Sequence, residues 1–207
     1  DLKNNKLLGT PEFDASLGQV LKPLSSDDQV SLETMTDVTL SAYFVLSYAR
    51  RKTDATRAFG GFRDLANVDA GKPLEHHLQD DIGQAMTTTA LGSGWTDERT
   101  NMSGGRADGQ LVVGRTHIPF EFKAEKTNAD QESLRKYVGQ AERYTGGTAA
   151  CAFLIVLDTT EDSARYNDIA SQSWTVSIPS IDESGRPKYV ITVVIPANMP
   201  SPSELSK

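Results

Sequence analysis

Ala149-Ala150-Cys151-Ala152-Phe153-Leu154-Ile155-Val156-Leu157 runs without a polar interruption. The run is too short for a membrane-crossing helix and too uniformly apolar for a strand with one wet face. It fits a strand covered on both sides, as in a sheet with helices on each face. This segment alone narrows the chain to a layered α/β architecture.

The rest of the chain supplies the pieces such a fold needs. Residues 29–52 carry Val30, Leu32, Met35, Val38, Leu40, Tyr43 and Phe44 at helical spacing. Ser25-Ser26-Asp27-Asp28 offers N-cap chemistry before them, and Lys22-Pro23 breaks the mixed segment upstream. Leu74, Leu78, Ile82, Ala85 and Met86 form an amphipathic stripe over 74–91, closed by Gly92-Ser93-Gly94. Residues 95–100 suit a short strand. Leu134, Tyr137, Val138 and Ala141 predict a helix over 131–144, starting after Asn128-Ala129-Asp130. Residues 158–171 are polar and predict a loop with at most a short helix, while 173–178 and 189–195 predict two more strands. The expected fold is α/β, a mixed sheet flanked by helices. We divide the chain into a mostly helical N-terminal extension, 1–70, and a core, 71–207, whose Pro- and Ser-rich end from 196 reads as a flexible tail.

Between the second helix and the apolar strand lies a hairpin. Residues 105–113 and 116–123 flank Gly114-Arg115, which suits a two-residue loop with glycine supplying a positive φ. Val113 then faces Thr116, and the same register sets Asp108 opposite Glu121 and Arg106 opposite Lys123. Alternation gives one face Leu111, Val113, Ile118, Phe120 and Phe122, a core face. The other carries Asp108, Gln110, His117, Glu121 and Lys123. Like charges directly opposite in a sheet cost a few tenths to about 1 kcal/mol. A divalent cation between them reverses that sign, since Mg²⁺ is commonly held by one or two carboxylates, waters and phosphate oxygens. The bland alternative is a hairpin with a solvated polar face.

With 207 residues and a 38% hydrophobic fraction, the chain can build a sizeable core. No run of eighteen apolar residues is present, so no membrane span is expected. A single cysteine, Cys151, rules out an internal disulfide and suits a cytoplasmic protein. The chain opens on Asp1 rather than Met, so a piece of a longer polypeptide is one expectation. A net charge of -7 argues against a protein that coats nucleic acid non-specifically. It leaves room for local engagement of phosphates. Arg50, Arg51, Lys52 and Arg57 lie close together with Asp54 as the one acid among them, and read either as phosphate-backbone contacts or as a solvated helix end. His76, His77 and Asp81 offer a weak zinc pair with no third ligand.

Glu75 begins the helix before the hairpin, with Gln79 one turn on. The helix after it carries Gln140 and Tyr144, four apart and on one face. In this order, Glu75, Gly105-Arg106-Ala107-Asp108, Glu121-Phe122-Lys123, a helix and the apolar strand, residues 74–158 resemble the PD-(D/E)xK, or restriction-endonuclease-like, nuclease superfamily. Gln140-Ala141-Glu142-Arg143-Tyr144 looks like the QxxxY motif of its RecB-like branch. Ala107 stands where the nominal motif has proline.

The resemblance implies a restriction-endonuclease-like core and a Mg²⁺- or Mn²⁺-dependent nuclease, acting on DNA more than RNA. It implies that Asp108, Glu121 and the backbone carbonyl of Phe122 hold the ion, with Glu75 completing the shell directly or through water. Lys123 would orient or help deprotonate the attacking water, and Gln140 and Tyr144 would position the scissile phosphate or bound waters. Arg106 is a phosphate contact or a supporting residue. Restriction, repair and defence systems are the settings such domains serve. The alternative is a catalytically silent module of the same fold that binds nucleic acid or a protein. In either case the N-terminal helical region is a surface for a homodimer or a fused partner.

Overall fold

The computed structural model of the chain describes residues 10–59, 74–102, 105–144, 149–160, 168–179 and 187–197, and leaves the side chains of residues 55–59, 74, 98–102, 105 and 106 undescribed. In chain order the elements are α1 (Pro11–Ser25), α2 (Leu32–Phe59), α3 (Leu74–Thr87), β1 (Trp95–Met102), β2 (Gly105–Val113), β3 (Thr116–Glu125), α4 (Gln131–Arg143), β4 (Cys151–Asp158), α5 (Ile169–Gln172), β5 (Ser173–Ile178) and β6 (Lys188–Pro196). The strands form one six-stranded sheet in the order β1-β2-β3-β4-β6-β5. β1, β2 and β3 are an antiparallel meander, β4 is parallel to both β3 and β6, and β5 closes the far edge antiparallel to β6.

The apolar run behaves as its composition demands. Every residue of β4 is buried. Phe153, Ile155 and Leu157 face a large cluster with Phe13, Val45, Tyr48, Leu78, Ile82 and Met86 from α1, α2 and α3. Ala152, Leu154 and Val156 face the other way, onto Leu134, Val138 and Ala141 of α4. The period-2 alternation of a strand thus serves two helical layers at once. α1 and α2, the described part of the expected extension, pack in the same cluster as α3 and the sheet. No helix among the described residues is long and apolar enough to cross a membrane.

Helix limits differ from the expectation at the N-terminal end. α1 runs through Pro23 to Ser25 instead of breaking at Lys22-Pro23. Proline there removes one backbone bond in the last turns. Burial of Phe13, Val20, Leu21 and Leu24 outweighs that loss, and the Thr10 hydroxyl caps the start by accepting the Phe13 N–H at 3.3 Å. The cap of α2 is Ser31, whose Oγ accepts the Thr34 N–H at 3.1 Å. Asp27 serves a turn, taking the Gln29 N–H on one oxygen and the Tyr189 hydroxyl on the other. Downstream, Asp130 caps α4 as expected, accepting from Ser133 N at 2.7 Å.

Glu125, the last residue of β3, ties that strand to α4. Its Oε1 accepts from Lys126 N, Thr127 N and the Thr127 hydroxyl, and its Oε2 from Lys136 Nζ and the Tyr137 hydroxyl. Burial works to raise its pKa, but Lys136 and the Thr127 and Tyr137 bonds win and hold it at about 2. Depressed below its unfolded value, the carboxylate stabilises the fold at neutral pH. That contribution is complete above the ordinary glutamate range and is lost as pH falls through about 2. Glu125→Gln is expected to cost on the order of 2 kcal/mol at pH 7 in urea denaturation, and to flatten the acid limb of stability below the ordinary glutamate pKa.

Candidate functional site

The hairpin has the expected register where it is closest to its turn. Gly114 takes φ 55, and pairs run from Val113↔Thr116 through Val112↔His117, Leu111↔Ile118 and Gln110↔Pro119 to Gly109↔Phe120. In a two-residue hairpin the closing pair exchanges hydrogen bonds, and alternate pairs do so thereafter. Pro119, which has no N–H to give, falls on a pair that exchanges none. Leu111, Ile118, Phe120 and Phe122 are fully buried, as the core face requires.

Beyond Gly109↔Phe120 the expectation is corrected. The ladder stops, so Asp108 is not paired opposite Glu121 and Arg106 is not paired with Lys123; Arg106 keeps only its pairing with Thr100 at the β1 edge. From Phe120 onward β3 pairs with β4. Continued pairing would send the Phe122 N–H to the carbonyl of Ala107. Instead the Asp108 side chain takes it, Phe122 N donating to Oδ2 at 2.9 Å. On α3, Gln79 Nε2 donates to the Asp108 carbonyl at 2.7 Å. Two side-chain bonds thus replace the ladder and fix Asp108 where the strands part. Gln79 is the residue whose role the sequence reading missed. The signal was its i, i+4 spacing from Glu75, which puts both on one face of the helix.

Glycine at 109 is required by close approach. A Cβ there would stand 2.6 Å from the Trp95 ring. That indole packs edge-on against Phe120, with centroids 5.1 Å apart, and seals the apolar side of the hairpin just before the strands separate.

On the opposite side lie the charges. Glu121 is 1% exposed, and its Oε2 has no hydrogen-bond partner among the described residues. Lys123 Nζ stands 2.6 Å from Glu121 Oε1, a close ion pair. The same ammonium lies 3.4 Å from Glu75 Oε1. Burial pushes Glu121 up to about 7 against the pull of Lys123, and the Asp108 and Glu75 charges push the same way as burial. Glu75 is raised by the same cause. Burial alone would lower Lys123, but Glu121, then Glu75 and Asp108, hold it above its ordinary value and protonated.

A buried carboxylate with one oxygen on a lysine and the other unpartnered is costly unless something meets the second. Among the described residues no three His, Cys, Asp or Glu side chains converge tightly enough to hold a metal ion alone. Two carboxylates, a backbone carbonyl and oxygens of water or substrate suit a hard ion such as Mg²⁺, which keeps much of its water. The donor set fits on those terms.

Glu121 and Lys123 pair with Leu154 and Val156 and point to the sheet face that α4 covers. α4 leaves the end of β3 and returns to the start of the parallel β4, so it runs back along β3. Tyr137, fixed on Glu125, shares a flank with Gln140 and Tyr144. From Tyr137 to Tyr144 the helix covers roughly 10 Å, and from Glu125 back to Glu121 the strand covers roughly 13 Å. Gln140 and Tyr144 therefore follow β3 back towards Lys123 and Glu121. They bond each other, Gln140 Nε2 to the Tyr144 hydroxyl at 3.4 Å, and leave the carboxylates alone.

The remaining candidates fare less well. Lys52 is paired with Asp81 at 2.7 Å, and Arg50 donates to the Thr10 hydroxyl with Asp54 4.0 Å away. Both are occupied within the helical layer rather than free for phosphate, whereas Arg51 is exposed. The side chains of Arg57 and Arg106 lie outside the described residues. The zinc pair does not form: His76 pairs with Asp80, and Asp81 is taken by Tyr48 and Lys52. His117 sits at the rim, its Nδ1 3.2 Å from Gln110 Nε2. Cys151 is buried, and burial pushes its thiol up to about 12, which suits a packing role.

No protein-family model, curated protein or solved structure matches this chain.

Because the ionised form of Glu121 is disfavoured by the fold, its sign is opposite to that of Glu125. With the folded pKa raised, stability from the neutral acid is full at low pH and declines as pH rises through about 7. In EDTA at pH 8, Glu121→Gln is expected to melt at or above the wild-type temperature, and the advantage is expected to shrink by pH 5. Calorimetric melting at the two pH values checks it; a clear loss at pH 8 contradicts it.

Proposed function

We propose that the chain is a divalent-metal-dependent nuclease with a restriction-endonuclease-like core, hydrolysing phosphodiester bonds in DNA. The observation that carries this reading is Glu121: a buried carboxylate with one oxygen on a lysine ammonium and the other unpartnered among the described residues, at the point where two strands separate around Asp108. A structural hairpin has no use for that arrangement. The order of Glu75, Asp108, Glu121, Lys123, Gln140 and Tyr144 along the chain supports the same reading.

Asp108, Glu121 and the Phe122 carbonyl would hold the ion. Bound there, Mg²⁺ or Mn²⁺ lowers the pKa of a water and stabilises negative charge gathering on the phosphate. Lys123, protonated and mostly buried, supplies a hydrogen-bond donor for the attacking water or a phosphate oxygen. Its charge counts for more in a site with little water around it. Gln140 and Tyr144 carry an amide and a hydroxyl on the helix flank that follows β3, where they can hold the scissile phosphate in line. Gln79 keeps Asp108 turned to its task through the backbone.

Supercoiled and linear DNA incubated with Mg²⁺ or Mn²⁺ provide the test. Cleavage is expected in metal and none in EDTA, with Asp108→Asn and Lys123→Ala each lowering the rate by about a hundredfold or more. Absence of cleavage on every form of DNA and RNA overturns the reading. Cleavage untouched by both substitutions assigns it to a contaminant.

A further inference from the structure

We infer that Glu75 is a positioning residue for Lys123 and not a ligand of the ion, an assignment that rests on the nuclease reading above. The ammonium of Lys123 stands 2.6 Å from Glu121 Oε1 and 3.4 Å from Glu75 Oε1. It is the cation these two carboxylates already share. A divalent ion bridging the same two oxygens would need the place the ammonium occupies, and two cations repel strongly at such separations in a buried site. Glu121 has a second oxygen, buried and without a partner among the described residues. Asp108 spends its Oδ2 on the Phe122 N–H and has a further oxygen. Asp108 and Glu121 would therefore hold the ion, while Glu121 Oε1 and Glu75 hold the lysine.

That division has a chemical consequence. A lysine ends in a point charge on a flexible four-carbon stem and needs fixed partners to hold its position. With a divalent ion bound, Glu121 would hold Lys123 less tightly. Glu75 then becomes the anchor that keeps Nζ within reach of the water and the phosphate. It is well placed for this. It lies in the first turn of α3, and that helix is seated by Leu78, Ile82 and Met86 in the main core and tied to Asp108 through Gln79. An acid in a first helical turn also has a purely local explanation, the macrodipole. That explanation does not account for a carboxylate turned onto a lysine of β3.

The test titrates Mn²⁺ alone into the 207-residue chain by calorimetry and measures DNA hydrolysis at saturating Mn²⁺. Glu75→Gln is expected to bind Mn²⁺ within about twofold of wild type, while Asp108→Asn loses about a hundredfold. In hydrolysis, Glu75→Gln is expected to lower kcat by roughly a hundredfold with KM unchanged, as for a displaced reacting group. Glu75→Asp keeps the charge at the helix start but draws the carboxylate back from Lys123, and is expected to show the same split. If Glu75→Gln loses Mn²⁺ as Asp108→Asn does, Glu75 is a ligand and the assignment is overturned. If both Glu75 variants keep full kcat, Glu75 is only a helix-terminal acid and the assignment is again overturned. If the wild-type chain binds no Mn²⁺, the metal-site reading itself fails, a result distinct from the other two.

Discussion

The arrangement of the candidate site depends on where β3 loses β2 at one edge while it gains β4 at the other. Up to Phe120 the strand is bonded to β2, and from Phe120 onward to β4. At that residue β2 is released, and its next side chain, Asp108, turns to take the backbone N–H that the ladder leaves free. Buried N–H and C=O groups must find partners. The parting of the strands therefore has to be compensated locally, and the compensation is what fixes Asp108. The site follows from the requirement that a split ladder still satisfy its backbone.

The scaffold around this split is rigid for ordinary reasons. Phe120 stacks on Phe153 with ring centroids 4.9 Å apart, and Trp95 closes over Gly109. β4 and β6 form a fully buried parallel pair beneath. A buried carboxylate with an unpartnered oxygen costs stability. A core of this extent can absorb that cost without releasing Glu121 to solvent. Binding and catalytic groups are drawn from such locally unfavourable arrangements, because what the fold leaves unsatisfied is what a ligand can satisfy.

Much of this was legible in the sequence, and the reasons differ by element. β4 announces itself because a strand buried on both faces has no room for a polar residue. The hairpin register follows from Gly114-Arg115 alone, since a two-residue loop leaves one way to pair Val113 with Thr116. The end of the ladder was not legible. Nothing in residues 105–109 or 120–123 says that pairing stops; where it does, the Asp108 side chain and Gln79 of α3 take the freed backbone groups, and Gln79 is distant in sequence. The same limit explains Lys52, whose partner Asp81 comes from another helix. It also explains α1, where tertiary burial carries a helix through a proline that local propensity would end. Gln79 was visible as a helix neighbour of Glu75, but its role required knowing which carbonyl the split leaves open.

One strand also shows how environment divides the work of like residues. Glu121 and Glu125 are four apart on β3 and project to the same face. Glu125 receives five donors and is held at about 2; Glu121 has only the Lys123 ammonium and is pushed by burial to about 7. Lys123 lies between them with its charge turned to the unsatisfied end. The difference comes from the loop and helix that follow β3. Lys126, Thr127, Lys136 and Tyr137 gather at the C-terminal end of the strand because the chain must turn there into α4. The saturated glutamate thus pins α4 by Tyr137, and the pinned helix carries Gln140 and Tyr144 back along the strand towards the unsaturated one. The structural carboxylate and the one proposed to act are linked in this way: the first sets the position of the groups that would act together with the second.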